Sequence, residues 1–240
     1  MGKFLRTAFA ASLLALPLLA AAAAPPKPFS ADYELRRNDQ LLGVGQISLR
    51  ALPGGRFELV TRSQGTQGLA ALAGLDRLER SELRWTGERL ELVDYSMRQK
   101  AAFKTREQSL RFDPASGTVD SRRKDKGDGA RYPAPAGVID RHGLTAAIMV
   151  ALAAGERGPL AFQVAERSGV ETQPYRVAAA VRLRTAIGTE RAIRVERVRE
   201  AGDGRITKLW FARERDWLPL RIKQYEADGE TIDLRITAVR

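Results

Sequence analysis

Apolar and polar residues alternate with a period of two along most of this chain, the pattern of strands with one face in a core and one in water. Phe29, Ala31, Tyr33 and Leu35 share one face, and Asn38-Asp39 supplies a turn. The next strand runs through Leu41 to Leu49, where Gly43 and Gly45 predict a bulge or a sharp bend. Pro53-Gly54-Gly55 turns the chain into a strand over Phe57 to Gln64, so residues 29–64 predict a three-stranded meander. Alternation continues over 76–86, 90–99 and 102–112, the last carrying Phe103, Leu110 and Phe112. Asp113-Pro114-Ala115-Ser116-Gly117 is a turn, and the short polar run 118–123 predicts an edge strand.

Two stretches break the rhythm. Residues 65–76 interleave Gly65, Gly68 and Gly74 with Leu69, Leu72 and Leu75, which predicts a short helix or a small apolar loop: a buried connector, or a lid or membrane-touching loop. Residues 124–138 are the poorest in apolar content and read as a surface loop. They lead into one helix, Asp140 to Ala154, with Asp140 as cap and Gly155 as its left-handed stop. Leu144, Ala147, Ile148, Val150, Ala151 and Leu152 make that helix apolar over most of its circumference, so it must be buried against a sheet or inside a barrel. Strands resume over 160–165, 174–181 (with 182–186 as a continuation), 190–199, 206–212, 218–226 and 231–239, with Gly202-Asp203-Gly204 and Asp228-Gly229 as hairpin turns. The predicted class is mainly β: a strongly curved antiparallel sheet or open barrel of about 11–13 strands around one central α-helix, with residues 24–240 as a single domain.

The N-terminus changes the setting. Lys3 and Arg6 precede an uncharged run centred on Leu13, Leu14, Leu16, Leu18 and Leu19, followed by Ala21-Ala22-Ala23 and a proline-rich start. This is the layout of a cleavable secretory signal over residues 1–23, with cleavage after Ala23. The apolar core falls short of the about 20 residues a membrane span requires. The expected location is the periplasm, or outside the cell. The chain has no Cys, so disulfides, thiolate zinc sites and thiol catalysis are excluded.

The net charge of +11 drops by two once Lys3 and Arg6 are removed. Arg outnumbers Lys by 32 to 8, and the arginines are spread through the alternating segments as a solvated sheet face would have them. The densest basic run, Arg122-Arg123-Lys124 with Lys126, is interrupted by Asp120, Asp125 and Asp128. No nucleic-acid module accompanies it, so nucleic acid is not an expected partner. An anionic membrane surface is, because a basic exported protein is drawn to one.

The last quarter carries a resemblance. Lys208-Leu209-Trp210-Phe211-Ala212, Trp217-Leu218-Pro219-Leu220-Arg221-Ile222 and Asp228-Gly229-Glu230-Thr231-Ile232 resemble the ending of the exported bacterial family known as domain of unknown function 3108. Phe29-Ser30-Ala31-Asp32-Tyr33-Glu34-Leu35, the run Leu42-Gly43-Val44-Gly45 and the acidic start of the helix at Asp140 fit it too. The resemblance implies an exported, sheet-rich, barrel-like fold and no assigned activity. The layout is similar, more weakly, to periplasmic lipoprotein carriers of the Lol type, which hold acyl chains inside a curved sheet.

Chemistry is sparse. His142 is the one histidine, and no Gly-x-Ser-x-Gly elbow supplies a partner for it. One His without Cys leaves only carboxylates for a metal, so no metal site is expected. Glu79 with Glu82, and Asp228 with Glu230, are carboxylate pairs of the type glycosidases use, but each alternates with Arg or sits in a turn. Gly43-x-Gly45 lacks the third glycine of a dinucleotide fingerprint. Trp85, Trp210 and Trp217 fit sheet packing better than a sugar platform. No catalytic residue or cofactor is predicted, and the expectation is a protein that is not an enzyme. Two roles follow. One is a carrier for a lipid or other acyl-bearing ligand, in a hollow lined by Leu69, Leu72, Leu75, Leu144, Ile148 and Ala151. The other is an envelope structural or interaction module with a solid barrel core that docks partners through a sheet edge or face.

Overall fold

The computed structural model describes residues 23–199 and 204–240. The segment read as a secretory signal, except Ala23, and the residues 202–203 of one expected turn lie outside the described part.

A first meander comprises β1 (Phe29–Arg37), β2 (Gln40–Leu52), β3 (Arg56–Gly65), the short helix α1 (Gly68–Leu72), β4 (Asp76–Trp85), β5 (Leu90–Ala101), β6 (Lys104–Asp113), β7 (Thr118–Arg123) and β8 (Asp128–Pro133). After β9 (Ile139–Asp140) and helix α2 (Leu144–Ala153), a second meander runs through β10 (Leu160–Ala165), β11 (Val170–Thr185), β12 (Gly188–Arg197), β13 (Ile206–Ala212), β14 (Leu218–Tyr225) and β15 (Thr231–Val239). All fifteen strands form one sheet in the order β8-β7-β6-β5-β4-β3-β2-β1-β15-β14-β13-β12-β11-β10-β9. Every pair is antiparallel except β9 with β10. The first and last strands therefore meet in the middle of the sheet, with Ala31 opposite Val239 and Arg37 opposite Ile232.

The sheet is mainly β and open, but it curls until its two ends overlap. Leu92 in β5 donates its N–H to the Val138 carbonyl just ahead of β9, at 2.8 Å. The β6–β8 flap continues past that point and packs over it. Leu110, Phe112, Val119 and Tyr132 of the flap form a second apolar cluster with Leu92, Val138 and Ala165. Side chains latch the flap: the Tyr132 hydroxyl donates to the Glu166 carbonyl, and Arg167 pairs with Asp128.

The main core lies inside the curl and is built around α2. Leu144, Ala146, Ala147, Ile148, Met149, Val150 and Leu152 of this ten-residue helix are all buried. They pack against Leu49, Leu59 and Leu83 from the first meander and against Val195, Phe211 and Leu220 from the second. A helix with apolar residues all round has no face to give to water, and this one is buried along its length, with Thr145 and Ala151 half-buried and only Ala153 at its end exposed.

The fold class expected from alternation holds, with particular differences. Residues 128–133, read as loop, form β8, because an edge strand needs only Tyr132 on its buried face. That makes β8 an edge and places the run 118–123 inside the sheet, between β6 and β8. The strand expected from 174 begins at Val170 and runs unbroken to Thr185. Phe103 lies outside β6, in the two-residue turn between Ala101 and Lys104. Asp140 ends β9 instead of capping α2, although its side chain still accepts the N–H groups of His142 and Gly143. Asn38-Asp39 forms the predicted turn with φ of 49° and 62°, the left-handed pair that a tight hairpin requires.

The convex face explains most of the arginines. Glu58 is held between Arg50 and Arg80, at 2.6 and 3.3 Å. The buried carboxylate of Asp233 takes a two-pronged contact from Arg221 and a third from Arg235. Such cross-strand pairs cover the outer face with neutralised charge.

Candidate functional site

The six residues expected to line one hollow do not face a common space. Leu69 and Leu72 stand 83% and 85% exposed on α1, at the end of the sheet where β3 finishes. Leu75 is half-buried just beyond that helix. Leu144 and Ile148 lie in the main core, and Ala151 packs against it. The separation has a local cause. Ala70 is the buried residue of α1, pressed so close to Gly65 that a Cβ there would stand 2.6 Å from the Ala70 carbonyl oxygen. That contact seats the helix on β3 by its small face and turns its two leucines outward.

Where α2 begins, the interior becomes polar. Ser81 on β4 donates to Asp140 Oδ1 at 2.7 Å, and its Oγ lies 2.8 Å from His142 Nδ1. His142 Nε2 is 2.9 Å from the Thr61 hydroxyl on β3. Asp140 Oδ1 also accepts the N–H groups of His142 and Gly143 at 2.9 and 2.8 Å, while Oδ2 has no hydrogen-bond partner. Beside this group, Glu79 accepts the Tyr95 hydroxyl at 2.9 Å and Arg77 Nε at 2.9 Å, and Arg77 reaches on to Gln99 at 2.6 Å.

Burial alone would push the Glu79 carboxyl up, but the charges of His142 and Arg77 and its two hydrogen bonds override it and bring the pKa down to about 2. The same Glu79 charge adds to burial in pushing the Tyr95 hydroxyl up. Burial raises Asp140 against the opposing pull of His142 and its three donors.

Ser, His and Asp thus meet, a contact between β4 and residues 59 and 61 positions later that no sequence spacing reveals. The wiring is wrong for nucleophilic catalysis. A catalytic histidine stands between serine and carboxylate and draws the serine proton to itself. Here Ser81 stands between the other two, gives its proton to Asp140, and is wholly buried. With that proton placed, His142 Nδ1–H donates to Ser81 and Nε2 shares a hydrogen bond with the Thr61 hydroxyl, so both ring nitrogens are engaged. The arrangement ties β3, β4 and the start of α2 together. Glu79 belongs to this interior cluster, Glu82 pairs with Arg56 at 2.7 Å on the outside, and Glu230 pairs with Arg37. Among the described residues no group of three His, Asp or Glu side chains is placed to hold a metal ion.

The exposed surface offers a different feature. Phe103 is fully exposed at the β5–β6 turn, and the preceding Ala102 has a φ of 52°. Its N–H donates to the Ala73 carbonyl at the end of α1, which brings Phe103, Leu69 and Leu72 to one tip. Lys104, Arg106, Arg123 and Lys126 border an open hollow of about 610 Å³ beside Phe103. Sequence alternation hid this residue by assigning Phe103 to a strand. The signal available was the turn itself: Ala-Phe stands where a tight hairpin favours Gly or Asn.

Comparison with known proteins gives a family and a fold. The family model described as "Protein of unknown function (DUF3108)" matches residues 33–237. No curated protein matches. Among solved structures, the chain is similar to the crystal structure of a beta-barrel-like protein of domain of unknown function DUF1849 from Brucella abortus. The TM-score is 0.61 at 9% identity, over 91% of this chain and 99% of that one. At that identity the likeness is one of fold.

Proposed function

The chain belongs to the DUF3108 family of unknown function, and we propose that it is a non-enzymatic scaffold of the bacterial cell envelope that engages its partner through its outer surface. The observation that carries this reading is the burial of seven of the ten residues of α2, distributed round its circumference. A carrier of acyl chains requires apolar space next to its helix, typically a few hundred Å³. Here that position is taken by Leu59, Leu83, Val195, Phe211 and Leu220. The open hollows at the surface are lined mostly by charged and polar side chains. The placement in the periplasm rests on the pattern of residues 1–23. The non-enzymatic role rests on the wiring of Ser81, His142 and Asp140.

Native mass spectrometry of the mature protein purified from a bacterial periplasm tests the reading. The expected spectrum is that of the bare polypeptide, and solvent extraction should release no lipid in proportion to protein. A lipid bound one to one, released only by solvent, overturns the filled-core scaffold and restores the carrier.

A further inference from the structure

We propose that the tip formed by α1 and the β5–β6 turn docks the protein on an anionic phospholipid surface. The proposal rests on the scaffold reading above and names the partner of its outer surface.

Three large apolar side chains point into water at one place: Leu69, Leu72 and Phe103. Leu69 and Leu72 are three positions apart on α1 and share a face. The hydrogen bond from Ala102 N–H to the Ala73 carbonyl fixes the turn against the end of that helix. Folding does not account for Phe103. It touches no core cluster, and the turn that carries it places a non-glycine residue, Ala102, in the left-handed region. A contiguous apolar patch of this type marks an interaction site.

Charge selects the partner. The run Lys100-Ala101-Ala102-Phe103-Lys104-Thr105-Arg106 contains three basic residues and no acidic one. Among the described residues, Lys100, Lys104, Arg106 and Lys126 have no ion-pair partner, unlike the paired arginines of the convex face. The β7–β8 turn adds Lys126 to the same rim, where Asp125 is taken up by Arg123. Apolar side chains beside the unpaired Lys100, Lys104, Arg106 and Lys126 complement a bilayer interface, where the Phe103 ring and the leucines enter the acyl boundary and the cationic groups meet lipid phosphates. Each basic group near an anionic surface contributes about 1 kcal/mol, or about fivefold in affinity.

The test uses the mature protein and sedimentation with vesicles of phosphatidylglycerol and phosphatidylcholine. Binding to vesicles rich in phosphatidylglycerol is expected, at least about tenfold tighter than to phosphatidylcholine alone and weakened by salt. F103D, and separately the double reversal K104E/K126E, should each lose at least about tenfold. Both sites are exposed, so thermal melts should match the wild type. F103W should report a blue-shifted emission when vesicles are added. Absence of wild-type binding, or equal binding by F103D, overturns the proposal. So does a protein dimer that F103D dissolves without any lipid binding, since the patch then serves a second copy. These results leave the mass-spectrometric test of the filled core untouched, so the two readings fail separately.

Discussion

Ile148→Ala measures whether the interior is packed. Ile148 is wholly buried in the middle of α2, within the main apolar cluster. The substitution removes apolar carbons worth about 0.8 kcal/mol each, or roughly 2.4 kcal/mol for the three that are lost. A packed surround closes over the gap only partly, and the residual cavity adds its own term, so the total should fall at about 3–4 kcal/mol, within the range of about 2–5 measured for such changes. For a domain of this size, about 3 kcal/mol lowers Tm by roughly 6–12 °C. Urea unfolding is the cleaner assay. The midpoint should fall with the slope m unchanged, which assigns the loss to the native state. A side chain facing an empty hollow has few partners to lose and would cost far less. A loss below about 1 kcal/mol would therefore refute the packed interior and everything argued from it. Leu72→Ala on the exposed α1 face is the internal control and should stay within about 0.5 kcal/mol of wild type.

Two further outcomes follow from the same contacts. Glu79 is depressed to about 2 in the folded protein, below its ordinary value in the unfolded chain, so it stabilises the fold above that ordinary value and ceases to do so as pH falls through about 2. Between about pH 5 and pH 2, Glu79→Gln should lose stability less steeply with falling pH than wild type; parallel curves would remove Glu79 from the account. A Cβ on Gly43 would lie 1.9 Å from the Gln64 carbonyl oxygen, whereas the tightest contact of one on Gly45 would be the end of the Leu234 side chain at 3.0 Å, with the Arg62 carbonyl oxygen at an ordinary 3.5 Å. Gly43→Ala should therefore destabilise by about 3 kcal/mol or more and Gly45→Ala by much less, read from urea midpoints; equal effects would show that β2 relaxes freely.

Much of this fold was legible because period-two alternation and turn residues are local. Tyr33, Leu35, Ile47, Leu49, Leu59 and Leu83 announce their inward faces by spacing alone, and the uniform apolarity of α2 announces its burial. What spacing could not supply is who sits opposite whom. β8 was hidden because an edge strand with one buried aromatic has too few apolar residues to show a period. The meeting of Ser81 with His142 depends on β9 and α2 returning to β4, a tertiary event. The same limit applies to the four leucines, one isoleucine and one alanine expected around one hollow: their apolarity is plain in the sequence, but the Gly65–Ala70 contact that turns Leu69 and Leu72 outward lies in three dimensions. Phe103 was hidden by a period extended two residues too far, into the turn before β6.

The seam between β1 and β15 has a consequence for how the molecule forms. The strand made first lacks one neighbour until the strand made last arrives, and the two lie at opposite ends of the sequence. Each meander can zip up through short hairpins, but joining them requires a contact of very high sequence separation, the slow type of step. The central ladder thus cannot be completed until β15 has been reached and is free to pair, and only then do the two half-sheets become one wall.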